Sequence, residues 1–472
     1  MAETGKSFIR KFVGFSVVIW VSFVVNFLTT PVYTRLFTPE VLGKINIFNT
    51  YSYLLGVLVL LGLDQAFARF YYERPNGRSV GYLFSFCFGI SYAFLFALFV
   101  LSLPIKSFLS SELFNENDNL LLYLFFFSVF CYLTLRYLNL SYRMEQNVKM
   151  YTIQGILNII VTKVLYLGVG FWDPSYKPAL IFLTVSHVVL AIAFLIIQKN
   201  RFERIREFDK TFSAEMFKYA LPLVPVSVLM WANTSIPQIV MQKTMDFNSI
   251  GIFTSAVTLA NVILVIQAGF NTFWVPYSLE NYKTQTGQFY KVHRYLLCIL
   301  TIFALLLVLF QDVVFLILGE KYRAAKEFFP LLIMSSVCYM IGETTGIGID
   351  ISKKTYFNIV VFSGSVFVNI LFCLILRQPF GISGIAMAVA LAGIIAMSMK
   401  TIIGQRYYRS VSSYRYIYIT IGLIISSAFV TLYVKTMNIK MALLLSLCLV
   451  SVFLYKKEII ELKNYAFSFV RK

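Results

Sequence analysis

Charge is scarce in this 472-residue chain: Asp, Glu, Lys and Arg make up 13% of it, about half the share of a soluble domain. Cysteine is sparse too. Its six copies, Cys87, Cys131, Cys298, Cys338, Cys373 and Cys448, all fall inside apolar runs without a CxxC pair. Disulfide, zinc and iron–sulfur sites therefore have little to build on. Cys/His metal spacing and a serine elbow are both missing. Gly5-Lys6-Ser7 copies the end of a phosphate loop, but the earlier glycine and the strand that would carry it are absent. ATP is not expected as the direct energy source. No stretch between apolar runs is large enough for a soluble domain, which weakens any activity needing a separate catalytic module.

Apolar residues are abundant: 59% of the chain is hydrophobic, with 47 Phe, 30 Tyr and a mean hydropathy of +0.76. They come in long runs, so lipid is the solvent. A spanning helix needs about 20 mostly apolar residues. Fourteen segments fit: roughly 12–34, 45–68, 81–103, 119–140, 150–171, 178–198, 217–241, 250–275, 295–318, 329–350, 357–376, 383–404, 416–435 and 440–455. The first follows Lys6, Arg10 and Lys11 as a signal peptide would, but no small-x-small site ends it. It is kept as a helix. The expected fold is an all-α polytopic membrane protein: a six-helix lobe at 1–210, a second at 211–404, and two more helices with a basic tail at 405–472.

The net charge of +19 would suggest nucleic acid in a soluble protein. In a membrane protein, position decides. With the N-terminus inside and the segments alternating, 28 of the 41 Lys and Arg fall on inner segments, 11 on outer loops, and Arg136 and Lys163 inside helices. That is the bias of cytoplasmic loops. Both termini are expected in the cytoplasm, and no nucleic-acid partner is needed.

An internal echo accompanies the two halves. Gly62-Leu63-Asp64-Gln65-Ala66-Phe67 leads to Glu73 in the second helix, and Gly269-Phe270-Asn271-Thr272-Phe273-Trp274 to Glu280 in the eighth, with the same Gly-to-Glu interval of eleven. Paired repeats with a site between them are a transporter design.

In this order and spacing the chain resembles the polysaccharide transporter branch of the multidrug/oligosaccharidyl-lipid/polysaccharide exporter superfamily. The residues are Pro31 through Gly43, Gly62-Leu63-Asp64 with Arg69-Phe70-Tyr71-Tyr72-Glu73, Tyr219-Ala220-Leu221-Pro222-Leu223-Val224-Pro225, and Phe273-Trp274-Val275-Pro276-Tyr277. Relatives often carry Asp-Arg midway along helix seven, where this chain has Pro237-Gln238, which leaves the coupling residue open. The resemblance implies a flippase for undecaprenyl-diphosphate-linked O-antigen, capsule or similar repeat units in the bacterial inner membrane. Membrane lipid and other polysaccharide-assembly proteins are its expected partners. It also implies alternating access, a proton or cation gradient as the energy source, and no cofactor.

The head group of such a substrate needs a wet, cationic path, so ionisable groups at membrane depth are the informative ones. Lys163, mid-way along helix five, fits attraction of a diphosphate or acidic sugar, or a structural pair. Arg136 fits the same role or snorkelling, since it lies one turn from the expected end of helix four. Asp64 and Arg69, five apart, are poor partners for each other; they fit an inner gate or a helix-end cluster. Glu343 and Asp350 share a face of helix ten, and Glu343 fits a proton or cation carrier or a partner for Lys163. His187 can titrate near neutrality, or simply hydrogen-bond within the bundle. Asn26, Asn233, Gln238, Gln267 and Asn271 lie on helices one, seven and eight, which line the cavity in the resembled fold; amides suit sugar hydroxyls but also join helices. Arg35 completes the cavity set. Pro31, Pro222, Pro225 and Pro237 are expected to kink helices one and seven. Three rivals remain open: a drug exporter of the same superfamily, a membrane polysaccharide polymerase or ligase, and a scaffold without transport. Short outer loops count against the second, and buried Lys163 and Glu343 against the third.

Overall fold

Hydrocarbon offers the backbone no hydrogen-bond partner, so a crossing segment must satisfy its own N–H and C=O groups within a helix. The computed structural model describes residues 2–74, 77–205 and 209–470, and among them every regular element is helical. The side chains of Lys6, Arg10, Lys11, Arg206, Arg471 and Lys472, counted above as inner charge, and of Thr272 and Phe273 lie outside the described residues.

The chain folds as two compact units, Met1–Trp231 and Ala232–Lys472. The first holds α1 (Ala2–Leu36), α2 (Pro39–Leu60), α3 (Leu63–Phe70), α4 (Val80–Ser102), α5 (Lys106–Phe114), α6 (Asn119–Met144), α7 (Val148–Lys163), α8 (Tyr176–Ile197) and α9 (Lys210–Ala220). Helix α10 (Val224–Thr244) crosses the boundary. The second unit continues with α11 (Phe247–Ala260), α12 (Val262–Asn281), α13 (Thr286–Leu309), α14 (Gln311–Leu316), α15 (Phe329–Thr345) and α16 (Ile347–Ile351). It closes with α17 (Phe357–Tyr407), α18 (Arg415–Tyr433), α19 (Met437–Leu454) and α20 (Lys456–Val470).

Starts are set by polar side chains that accept from the free N–H groups of the first turn. Ser79 accepts from Tyr82 N at 2.9 Å, Asp118 from Leu120 N at 2.9 Å, and Asp209 from Phe212 N at 2.9 Å. Among the described residues twelve stretches are long and apolar enough to cross a membrane, thirteen with the bent pair α2–α3. The 51-residue α17 is itself divided at Gly381, with φ 56° and ψ −132°. Unbroken it would run ~76 Å, against a hydrocarbon core of ~30 Å. Counting its halves separately gives fourteen, the number expected.

Several of the expected helices differ in detail. The second is broken: Leu61 (φ 51°) and Gly62 (φ 72°) are both left-handed, and α2 and α3 are bent by 50°. Gly62 is required there twice over, because a Cβ would meet Ala220 O at 2.3 Å. The fourth runs to Met144, beyond the expected end at 140, which puts Arg136 two turns inside the helix rather than one. The seventh is interrupted by the 3₁₀ turn Leu221–Leu223, where Pro222 brings no N–H to the ladder. Pro31 and Pro237 lie inside continuous stretches of α1 and α10.

Polar seams and small residues tie the helices together. In the first unit Lys44 pairs with Glu40 at 3.3 Å and Glu116 at 2.9 Å, and Lys177 with Asp118 at 2.6 Å and Glu116 at 3.7 Å. Tyr176 donates to Glu116 as well. In the second, Thr301 and Thr420 share a hydrogen bond of 2.7 Å, and Thr420 and Tyr455 one of 2.8 Å. Arg294 pairs with the buried Glu458 of α20, and Tyr295 OH donates to Glu461 at 2.7 Å. Backbones touch where α16 meets α17: a Cβ on Gly348 would lie 2.0 Å from Gly404 O. All six cysteines are free, five of them buried and Cys448 partly exposed.

Candidate functional site

In the N-terminal unit the break at Leu61–Gly62 starts a new helix, α3, whose first turn carries Asp64. Asp64 is buried, and its Oδ2 accepts from Arg136 Nε at 3.1 Å and Nη2 at 2.8 Å. Sequence spacing offers Asp64 no ideal partner on its own helix and leaves Arg136 open between a cavity role and snorkelling. Instead α2–α3 and α6 lie side by side and bring the two together. Arg69 goes elsewhere, to Glu73 at 2.9 Å on an exposed helix end, so Asp64 and Arg69 do not form one cluster.

Lys163 is the last residue of α7, where the α-helix passes into the 3₁₀ stretch Leu165–Phe171 of the same span. It is exposed on the unit's surface and has no ion pair among the described residues. Its level can be read from the packing of α1 on α7. A Cβ on Gly155 would strike Val18, and one on Gly170 would strike Leu36 and Phe37. The two helices therefore run in the same direction, and Lys163 is level with Asn26 to Thr30. Thr29 and Thr30 turn their hydroxyls back to Val25 O and Asn26 O, and Asn26 is half-buried. Arg35 is exposed and donates to Pro31 O at 3.2 Å. His187 Nε2 and Asn158 Oδ1 are 2.9 Å apart, a local bond between α7 and α8.

In the C-terminal unit Glu343 is held by α12 and α17. Its Oε1 accepts from Gln267 Nε2 at 3.0 Å and Lys400 Nζ at 3.3 Å. Lys163 was the partner anticipated for it; Lys400, near the end of the expected span 383–404, takes that place from within α17. Asp350 falls on the separate helix α16 beyond the break at Gly346, so it no longer shares an unbroken face with Glu343. It makes no ion pair among the described residues but lies in the field of Lys400. Asn271 Oδ1 is buried without a described partner.

Asn233 and Gln238 line a cavity of about 330 Å³ within the same unit. Pro237 is part of its wall. Lacking an N–H, Pro237 frees the carbonyl of Asn233 one turn earlier, and Asn369 Nδ2 donates to that oxygen at 3.1 Å. Ser365 Oγ donates to Asn233 Oδ1 at 2.8 Å, and Asn233 Nδ2 to the Tyr339 hydroxyl. Asn261, Ser335 and Ser336 add further polar atoms, and none of the described lining residues is charged. Sequence reading missed Asn369, Tyr339, Ser335 and Ser336, single polar residues embedded in apolar runs with no period to betray them. It also missed His293, buried on α13, whose Nδ1 lies 2.8 Å from Thr344 Oγ1 while Nε2 has no partner among the described residues.

The profile of a family described as "Polysaccharide biosynthesis protein" matches residues 8–282. No curated protein matches the chain by sequence. Among solved structures the fold is similar to "Lipid II flippase MurJ, inward closed conformation", with TM-score 0.71 and 15% identity over 94% of this chain and 99% of that one. It is similar also to an inward-facing multidrug resistance MATE family transporter of the MOP superfamily, with TM-score 0.56 and 15% identity over 81% and 94% of the two chains. The outward-facing conformation of such a transporter gives TM-score 0.54 and 16% identity over 84% and 95%.

Proposed function

Because the chain belongs to the polysaccharide biosynthesis protein family, and folds as the multidrug/oligosaccharidyl-lipid/polysaccharide transporters do, we propose that it is a flippase for lipid-linked oligosaccharides. Its substrate is an undecaprenyl-diphosphate-linked repeat unit of the O-antigen or capsule type, moved from the inner to the outer leaflet of the bacterial inner membrane. Two lobes, 1–210 and 211–404, alternate access while the polyprenyl tail stays in lipid; residues 405–472 add two helices and a cytoplasmic tail. Both termini face the cytoplasm. A proton or cation gradient supplies the energy, and other polysaccharide-assembly proteins supply and consume the repeat unit.

The observation that carries this reading is Lys163. An ammonium placed sixteen residues into a span costs roughly 2.5–3.5 kcal/mol on insertion scales, and no acid among the described residues offsets it. Such a group fits an anionic cargo met in passing. The uncharged amides and hydroxyls around Asn233 suit neutral sugar hydroxyls. The test is a strain lacking its repeat-unit flippase, given the wild-type chain or Lys163→Ala at equal expression. Return of surface polysaccharide with the wild type and its loss with the variant support the reading. Return with both removes Lys163 but keeps the flippase. Failure of both, even with the native sugar, turns the reading over to the drug-exporter alternative.

A further inference from the structure

The Asp64–Arg136 pair has an asymmetry that a plain structural ion pair does not need. Both bonds use one edge of the guanidinium, Nε and Nη2, and both end on the single oxygen Oδ2 of Asp64. Nη1 and the outer hydrogen of Nη2 have no partner among the described residues. The carboxylate side chain is 7% exposed and the arginine side chain 41%, so the acid lies beneath and the arginine is the more open partner. A guanidinium presents five N–H groups in a rigid fork, and a free edge of two parallel donors matches two oxygens of a phosphate.

The surroundings hold this edge in place. One turn before Arg136 on α6, the ring of Tyr132 lies over Gly56 of α2, where a Cβ would meet it at 2.6 Å, and Tyr53 packs edge-on against it at 5.7 Å. Depth follows from the hairpin of α6 and α7. Asn139 Nδ2 donates to Tyr151 O and Gln154 Nε2 to Leu135 O, at 3.2 and 3.1 Å. Arg136 is therefore level with residues 153–154 of α7. Lys163 lies nine or ten residues further along, roughly 14 Å deeper into the span at 1.5 Å per residue.

We infer that Arg136 is a phosphate-reading station on the cytoplasmic side of Lys163, and that Asp64 is a positioning residue that fixes which edge of its guanidinium is open. This rests on the flippase reading above. Asp64 also offsets the cost of a cation at this depth. Because the pair is neutral as a whole, it binds a diphosphate through geometry more than through net charge and can let it go. One phosphate fills the two donors of the open edge, and the second phosphate of a diphosphate can reach the remaining outer N–H of Nη1, so the station prefers diphosphate-linked lipid.

The test uses the full chain reconstituted in vesicles. One fluorescent oligosaccharide is supplied on polyprenyl diphosphate and on polyprenyl monophosphate, and flipping rates are read against concentration. Arg136→Lys keeps a cation beside Asp64 but loses the second donor edge; Asp64→Asn frees the guanidinium to rotate. Each is expected to raise KM for the diphosphate-linked lipid about tenfold, with kcat within twofold and the monophosphate-linked lipid little changed. Asp64→Glu is expected to recover part of the loss. Equal losses on both lipids, or a lower kcat at unchanged KM, would make the pair structural and overturn the inference. If the wild type moves neither lipid, the flippase reading itself fails, an outcome distinct from the others. Should Asp64→Asn not fold, Arg136→Lys alone decides.

Discussion

Replacing Gly62 by alanine isolates the two demands that the break in the second span makes on one residue. With φ at 72° the position is left-handed, which costs an L-residue ~1–2 kcal/mol. The added methyl would also sit 2.3 Å from Ala220 O. A backbone oxygen cannot swing aside as a side chain does, so helices must shift, and overpacking of this kind costs typically ~1–3 kcal/mol. The sum is about 2–5 kcal/mol. Two other glycines serve as controls. Among the described residues, Gly77 has φ 64° but nothing within 4 Å of an added Cβ, and Gly89 is helical with nothing within 4 Å. Gly77→Ala is then expected to lose only the backbone part, ~1–2 kcal/mol, and Gly89→Ala to change stability little or raise it by up to ~1 kcal/mol. Reversible unfolding of the detergent-solubilised protein by sodium dodecyl sulfate, followed through its four tryptophans, measures all three. If Gly62→Ala loses no more than Gly77→Ala, the close approach of α3 to Ala220 is not a constraint and the reasoning fails.

The same assay tests the other features. Asn369→Ala leaves the carbonyl freed by Pro237 unsatisfied, an expected loss of ~1–3 kcal/mol. In a Pro237→Ala background the new N–H takes over and most of that loss disappears; additive effects would refute the assignment. Breaking the Arg294–Glu458 pair by Glu458→Ala is expected to cost ~3–5 kcal/mol and to expose α20 to protease, whereas Arg294→Met with Glu458→Leu recovers much of it. Equal losses in the single and double variants would count against a desolvated pair. Asp118 and Glu116 are both held below the usual carboxylate range. For Asp118 the main cause is its hydrogen bond from Lys177; for Glu116 burial pushes upward, but the bonds from Tyr176 and Lys44 outweigh it. A depressed folded pKa means stability present above the unfolded value, near pH 4, and lost as pH falls through the folded one. Asp118→Asn keeps the helix cap but removes the charge, so its deficit of ~0.5–1 kcal/mol near pH 7 should shrink as pH falls below the usual carboxylate range and through the lowered pKa of folded Asp118. A deficit that does not change with pH would mean that the ion pair is not its source.

The spans were legible because lipid leaves one solution for the backbone, and a run of about 20 apolar residues signals it directly. Their ends and breaks were less so. Gly62 was visible as part of a motif, but its close approach to Ala220, far away in sequence, was not. Pairing was the weakest part. Asp64 and Arg136 stood out as charges inside apolar runs, yet nothing local says which of the other charges each will meet. Lys400 lies at the end of an apolar run, and nothing in that run says that it meets Glu343 of another helix. Asn369 and Tyr339 carry no charge and no period, and their role exists only because Pro237 leaves a carbonyl open on another helix.

The state of the cysteines has a practical side. With five of the six buried, the wild-type chain is close to silent toward bulky, membrane-impermeant maleimides, and Cys448→Ala removes the partly exposed one. New single cysteines in the connections can then be labelled from either side of intact cells without first stripping the native thiols from the packed interior. Reporters at 146 and 353, for instance, would read which compartment each helix end faces, in a protein whose interior is left as it is.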